Sequence, residues 1–157
     1  MLGMSIARAD REDLPEILEL QYAAYQSEAA IYDDYNIQPL TQTLEDLERE
    51  AEDWIVFKAV EDRKIAGSVR VLVADGQCTI GKLIVHPDYQ NRGIGKRLMK
   101  AVEDAFPHVR AIELFTGHKS ERNIRFYGKL GYEKFKEVQV NEHLSLVYFR
   151  KEIKEGA

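Results

Sequence analysis

The chain has 157 residues, 45% of them hydrophobic and 31% charged, and a net charge of −5. That length suits one domain with a real core, and that composition is globular rather than disordered. The acidic balance argues against broad contact with nucleic acid or an anionic membrane surface, and no apolar run approaches a membrane span.

The first residues, MLGMSIARAD, lack the basic and apolar segments of a secretory signal. SIARAD (Ser5 to Asp10) alternates as a short strand. Asp10 or Asp13 can cap the helix that follows, and Asp13 and Glu16 have capping-box spacing. Pro15 is tolerated in the first turn, where its missing N–H has no use. Leu14, Ile17, Leu18, Gln21 and Tyr25 share one helix face. SEAAIYDDYNIQPLTQ reads as a helix end followed by a loop. Thr43 starts a second helix, with Asp46 at the box position and Leu44, Leu47 and Ala51 along one side.

WIVFKAV (Trp54 to Val60) is a strand. KIAGSVRVLVA and CTIGKLIV then pair across Asp75-Gly76, a hairpin signal because both residues tolerate positive φ. Pro87 ends the second of these strands. Ile94, Leu98, Met99, Val102, Ala105 and Phe106 recur at helical spacing, with charged residues on the other side, and Pro107 stops the helix. AIELFT is a strand. SERNIRFYGKLGY is a helix capped by Ser120 and ended by Gly131, and the tail forms two strands around a turn near Asn141. The order β, α, α, β, β, β, α, β, α, β, β describes an α+β domain over residues 4–154. It predicts a mixed sheet with helices on its faces.

YQNRGIGKRL sits at a strand-to-helix corner. Such a corner binds anions, because free N–H groups point outward and glycine admits a close approach. A Walker loop fails, since Gln90 and Arg97 stand where glycine and Ser or Thr are needed. A dinucleotide fingerprint fails at Leu98. The pattern Q/R-x-x-G-x-G/A is met by Gln90, Asn91, Arg92, Gly93, Ile94 and Gly95. A plain tight turn would use the same glycines.

LIVHPDYQNRGIGKRLMKAVE resembles the coenzyme A signature of the GNAT acetyltransferases. ELFTGHKSERNIRFYGKLGY resembles the family's second signature. The resemblance spans essentially the whole chain. It implies a mostly antiparallel sheet of about six to seven strands, gapped between the strand Leu83–Val85 and AIELFT. It also implies acetyl-CoA as cosubstrate, with no metal. Leu83, Ile84 and Val85 would pair with the pantetheine arm. Gln90, Asn91, Arg92, Gly93, Ile94, Gly95 and Lys96 would hold the pyrophosphate. Asn123, Phe126 and Tyr127 would complete the cofactor site. Tyr127 matches the proton donor, and Val85 would offer a backbone N–H to the oxyanion.

The base is open among Glu113, Glu28, His118 and a water chain. CTIGK carries no carboxylate. His86, His108 and His143 show no metal spacing, and the lone Cys78 reads as packing in a reducing, cytoplasmic setting. Tyr32, Asp33, Asp34 and Tyr35 fall in the family's variable substrate region, where acids could attract a cationic amine or simply form a solvated loop. The implied activity is acetyl transfer to a primary amine of a small molecule or peptide. The alternative is a non-catalytic acyl-CoA-binding or regulatory domain. No nucleic-acid or membrane partner is expected; GNAT proteins often dimerise, and the sequence leaves open whether this chain is a monomer or a homodimer.

Overall fold

A computed structural model describes residues 3–153; the last residue of the expected domain, Lys154, lies outside the described residues. Its elements are β1 (Ser5–Arg8), α1 (Leu14–Ala24), α2 (Gln26–Tyr32), α3 (Gln38–Thr41), α4 (Leu44–Asp53), β2 (Ile55–Glu61), β3 (Lys64–Ala74), β4 (Gln77–Val85), α5 (Ile94–Ala105), β5 (Ala111–Gly117), α6 (Glu121–Lys129), β6 (Glu133–Gln139) and β7 (Ser145–Glu152). The strands form one sheet in the order β1-β2-β3-β4-β5-β7-β6. Every neighbouring pair is antiparallel except β4–β5, which is parallel. The α+β class and the mixed, mostly antiparallel sheet agree with the sequence. Among the described residues, no helix is long and apolar enough to cross a membrane.

Local signals explain most boundaries. Thr43 and Asp46 form the expected reciprocal cap on α4. Asp75 and Gly76 both have positive φ, the geometry a two-residue hairpin demands. The start of α1 differs. Asp10, not Asp13, makes the capping box, around a short 3-10 turn at Arg11–Asp13. Asp13 is occupied by the Asp10 N–H and by Lys58 at 2.8 Å, while Glu16 accepts the Ile65 N–H at 2.6 Å. The stretch expected as a helix end and loop is instead two further short helices, α2 and α3.

Apolar residues cover both faces of the sheet. Leu98, Met99 and Val102 of α5 and Tyr127 of α6 pack with Val69, Val71, Cys78, Ile80, Ile112 and Leu114. Leu14, Ile17 and Leu47 of α1 and α4 pack with Val56 and Ile84. A bulge in β4 links the two clusters. Val69 pairs with Leu83 but Val71 pairs with Ile80, so Gly81 and Lys82 together oppose Arg70. The extra residue flips the alternation: Cys78 and Ile80 face α5 before it, and Leu83 and Val85 after it.

Arg70, 1% exposed, fixes the bulge from the α1–α4 side. Its guanidinium donates to Gln21 and Gln42 and reaches Glu50 at 3.5 Å. Lys82 lies 3.9 Å from the same carboxylate. Burial, then the nearby Arg70, holds the Lys82 pKa below its ordinary value.

Candidate functional site

The parallel ladder between β4 and β5 is short. It pairs Gln77, Cys78 and Thr79 with Ala111, Ile112 and Glu113, and then stops. From Ile80 to Val85 that edge of β4 has no strand partner, so the two strands part into a gap. Backbone direction follows from the β3 pairing. His86 N–H donates to Ala66 O at 2.8 Å, so the residues that face β3 are His86 and Ile84. In an antiparallel ladder the intervening residues turn their N–H and C=O the other way. Leu83 and Val85 therefore present unpaired backbone groups to the gap, whereas Ile84, expected with them, does not. Ile84 turns its backbone to β3 and its side chain to the α1–α4 cluster.

At the mouth of the gap the chain makes a 3-10 turn at Pro87–Tyr89, capped by His86 Nδ1, and then enters α5. Asn91 and Gly93 have φ of +65° and +81°. Gly93 is the cap residue of α5 and supplies no side-chain cap. The first intrahelical bond runs from Arg97 N–H to Gly93 O at 3.0 Å. The N–H groups of Ile94, Gly95 and Lys96 thus have no helical acceptor. A Cβ on Gly93 would meet no atom within 4 Å, so the space beside this cap is open. Ile94 is pressed onto Gly67 of β3, where a Cβ would come 2.8 Å from Ile94 Cγ2. That close approach sets the helix start at the gap. Phe126 of α6 packs against Gly95 from the other side.

The cations divide unevenly. Arg92 pairs with Glu61 at 3.4 Å and lies over the Tyr89 ring at 5.1 Å. Lys96 is exposed and carries no ion pair among the described residues. Arg122, which the sequence reading passed over, reaches from α6 to Gln90 and Asn91.

Tyr127 of α6, in the cluster against which Leu83 and Val85 pack, is 7% exposed, its ring held by Phe126, Tyr132 and Phe149. Its hydroxyl takes part in no hydrogen bond of the described residues, yet no buried side-chain polar atom among them lacks a partner. The hydroxyl therefore opens onto accessible space. Burial raises its pKa, and the nearby Tyr25 and Glu28 raise it further. Asn123 donates to Glu28 and to Thr116 Oγ1, both at 3.3 Å. Ser120 donates to Glu28 at 2.6 Å instead of capping α6. Sequence spacing carried no sign of this cluster, because α2 and α6 meet only in the fold.

Glu113 is held by Arg150 at 3.0 Å. His118 Nδ1 accepts the Ser145 N–H at 2.9 Å and ties the β5–α6 turn to β7. Tyr32 bonds Ser120 and the Lys119 N–H and lies over Gly117. Asp33, Asp34 and Tyr35 are exposed on the turn after α2, where Asp34 accepts the Asn36 N–H. Cys78 is buried, and burial pushes its thiol up to about 12, far from a reactive thiolate. Among the described residues no cluster of His, Cys, Asp and Glu could hold a metal.

Comparison with known proteins agrees with this geometry. The Acetyltransferase (GNAT) family model matches residues 14–132. UPF0157 protein YqkA of Bacillus subtilis is 28% identical over 85% of this chain and 38% of its own length. A protein described as an uncharacterized N-acetyltransferase in the lysA 3′ region of Bacillus methanolicus is 34% identical over 46% of this chain and 60% of its own length. The chain thus spans less than two thirds of these relatives.

Among solved structures, the ribosomal-protein-S18-alanine N-acetyltransferase of Escherichia coli superposes with a TM-score of 0.80 at 17% identity, covering 99% of this chain and 97% of that one. The PaiA N-acetyltransferase of Thermoplasma acidophilum, solved with coenzyme A, gives 0.79 at 17% identity, covering 94% and 98%. With residues 14–132 matched and the gapped sheet in place, the chain belongs to the acetyltransferase (GNAT) family.

Proposed function

We propose that the protein transfers the acetyl group of acetyl-CoA to a primary amine of a small molecule or peptide, within one ternary complex. One observation carries this reading. The β4–β5 gap has an uncapped helix start at its mouth, and Tyr127, its hydroxyl partnerless, belongs to the packed cluster that takes in Leu83 and Val85 of the gapped edge. A molecule with a diphosphate at one end, an amide chain in the middle and a thioester at the other matches those three features in order. The Ile94, Gly95 and Lys96 N–H groups would receive the diphosphate. Leu83 and Val85 would pair with the amide arm as a missing strand does. PaiA, which shares the fold, was solved with coenzyme A.

The chemistry asks little more of the chain. The amine nitrogen forms its bond to the thioester carbon, the C–S bond breaks, and sulfur leaves with the electron pair. Val85 N–H would stabilise charge on the carbonyl oxygen. Tyr127 would give its proton to the departing sulfur; its raised pKa keeps it protonated at neutral pH. Of the three candidate bases, Glu28 is the one beside Tyr127. Ser120 and Asn123 occupy part of its acceptor capacity, and the remaining lone pairs can hold the amine and take its proton. Deprotonating an amine of pKa near 10 costs only about 4 kcal/mol at neutral pH, so a well-placed carboxylate or water suffices.

Thiol release from acetyl-CoA across a panel of amines, with mass analysis of the products, tests this. The expected result is one acetylated amine per CoA released. A protein that binds CoA tightly but releases none with any amine would be a binding domain.

A further inference from the structure

We propose that Arg122 is the arginine that grips the cofactor diphosphate, a role that the position of Arg92 in the glycine loop would otherwise suggest for that residue. The inference rests on the acetyl-CoA reading above. Arg122 stands in the first turn of α6, across the gap from the loop. Its Nη1 donates to Gln90 Oε1, and its Nη2 donates to Asn91 Oδ1 at 3.1 Å. It links α6, which follows β5, to the glycine loop, which follows β4, and the two strands have already stopped pairing at Thr79 and Glu113.

Three facts distinguish it from Arg92. Both acceptors of Arg122 are neutral amides, and no ion pair involves it among the described residues, so its charge is uncompensated. Arg92 is neutralised by Glu61 and occupied by the Tyr89 face. A guanidinium presents a planar fork of donors, and Arg122 spends two N–H bonds on the loop, leaving others for phosphate oxygens. Its Nη2 bond also braces Asn91, a non-glycine residue at φ +65°, so the loop is set before the ligand arrives. Together with Lys96, Arg122 places unpaired positive charge beside the uncapped start of α5 in a chain of net charge −5.

The test compares wild type, Arg122→Ala, Arg122→Lys and Arg92→Ala, using CoA itself as the calorimetric probe. Arg122→Ala should weaken CoA binding by about tenfold to a hundredfold, and Arg122→Lys by less. Arg92→Ala should cost less than about fivefold, as exposed ion pairs do. A second measurement separates grip from general damage. The ratio of kcat/KM for acetyl-CoA to that for S-acetylpantetheine, which lacks the diphosphate, should fall in Arg122→Ala by the same factor as the affinity. Arg122→Ala that binds CoA as wild type does, or that loses both substrates equally, overturns the proposal. So does a larger loss from Arg92→Ala than from Arg122→Ala. Wild-type protein that binds no CoA overturns the acetyl-CoA reading together with this one.

Discussion

Replacing Tyr127 with phenylalanine removes one oxygen from the centre of the site and leaves the ring. The ring is wedged among Phe126, Tyr132 and Phe149, with centroids 5.2 to 6.2 Å away, and those contacts survive. The lost hydroxyl leaves no protein group unsatisfied, because none bonds to it. Thermal unfolding should therefore stay within about 2 °C of wild type. Activity should not. Losing the proton donor should slow turnover by about 10²- to 10⁴-fold, or about 3 to 5 kcal/mol of barrier, with CoA affinity unchanged.

The pH profile adds a second signature. Burial first, then Tyr25 and Glu28, raise the Tyr127 pKa above the ordinary phenol value, so its proton is present throughout the neutral range. The alkaline limb of the wild-type rate should fall above about pH 10, and that limb should vanish in Tyr127→Phe. The assay is steady-state thiol release where chemistry limits turnover, backed by single-turnover measurements. A Tyr127→Phe protein at full rate would refute the donor role and assign the sulfur's proton to water.

Other outcomes follow from the same geometry. Glu28→Gln should lower kcat/KM for the amine by about tenfold or more while CoA affinity holds, and steady-state kinetics with both substrates varied will show it. The double change Asp33→Asn, Asp34→Asn should alter the amine KM by less than about twofold, because both acids are exposed on a turn and screened by solvent. Glu50→Ala should cost about 3 to 5 kcal/mol in urea unfolding, since it strands Arg70 and Lys82 beside each other without their carboxylate. The depressed Lys82 pKa means that the unfolded chain holds that proton more tightly. Stability should thus rise with pH between the folded Lys82 pKa and its ordinary value, and Glu50→Ala should widen that window downward.

What could be read from the sequence was what is local. The Thr43–Asp46 cap, the Asp75–Gly76 turn and the α5 stripe each depend on residues a few positions apart. The glycine loop was legible because Gly93 must hold a positive φ at a helix start. The α1 cap stayed open between Asp10 and Asp13 because the two acids offered the same local chemistry, and the Asp13–Glu16 box does not form. Distant partners decided between them: Lys58 took Asp13, and the Ile65 N–H took Glu16. Helices α2 and α3 bury little of their own, Ala29 alone in α2, so no apolar period announced them. The β4 bulge was hidden because Leu83, Ile84 and Val85 after it are all apolar, so that run does not tell which face each residue takes. Glu28 and Arg122 acquire meaning only where α2, α6 and the loop converge.

The most direct test is a crystal structure of the protein with acetyl-CoA or a non-hydrolysable thioester analogue. The expected structure has the diphosphate at the N–H groups of Ile94, Gly95 and Lys96, the amide arm paired with Leu83 and Val85, and the thioester sulfur within hydrogen-bonding reach of the Tyr127 hydroxyl. A ligand bound outside the β4–β5 gap, or one in the gap with its sulfur remote from Tyr127, would contradict it.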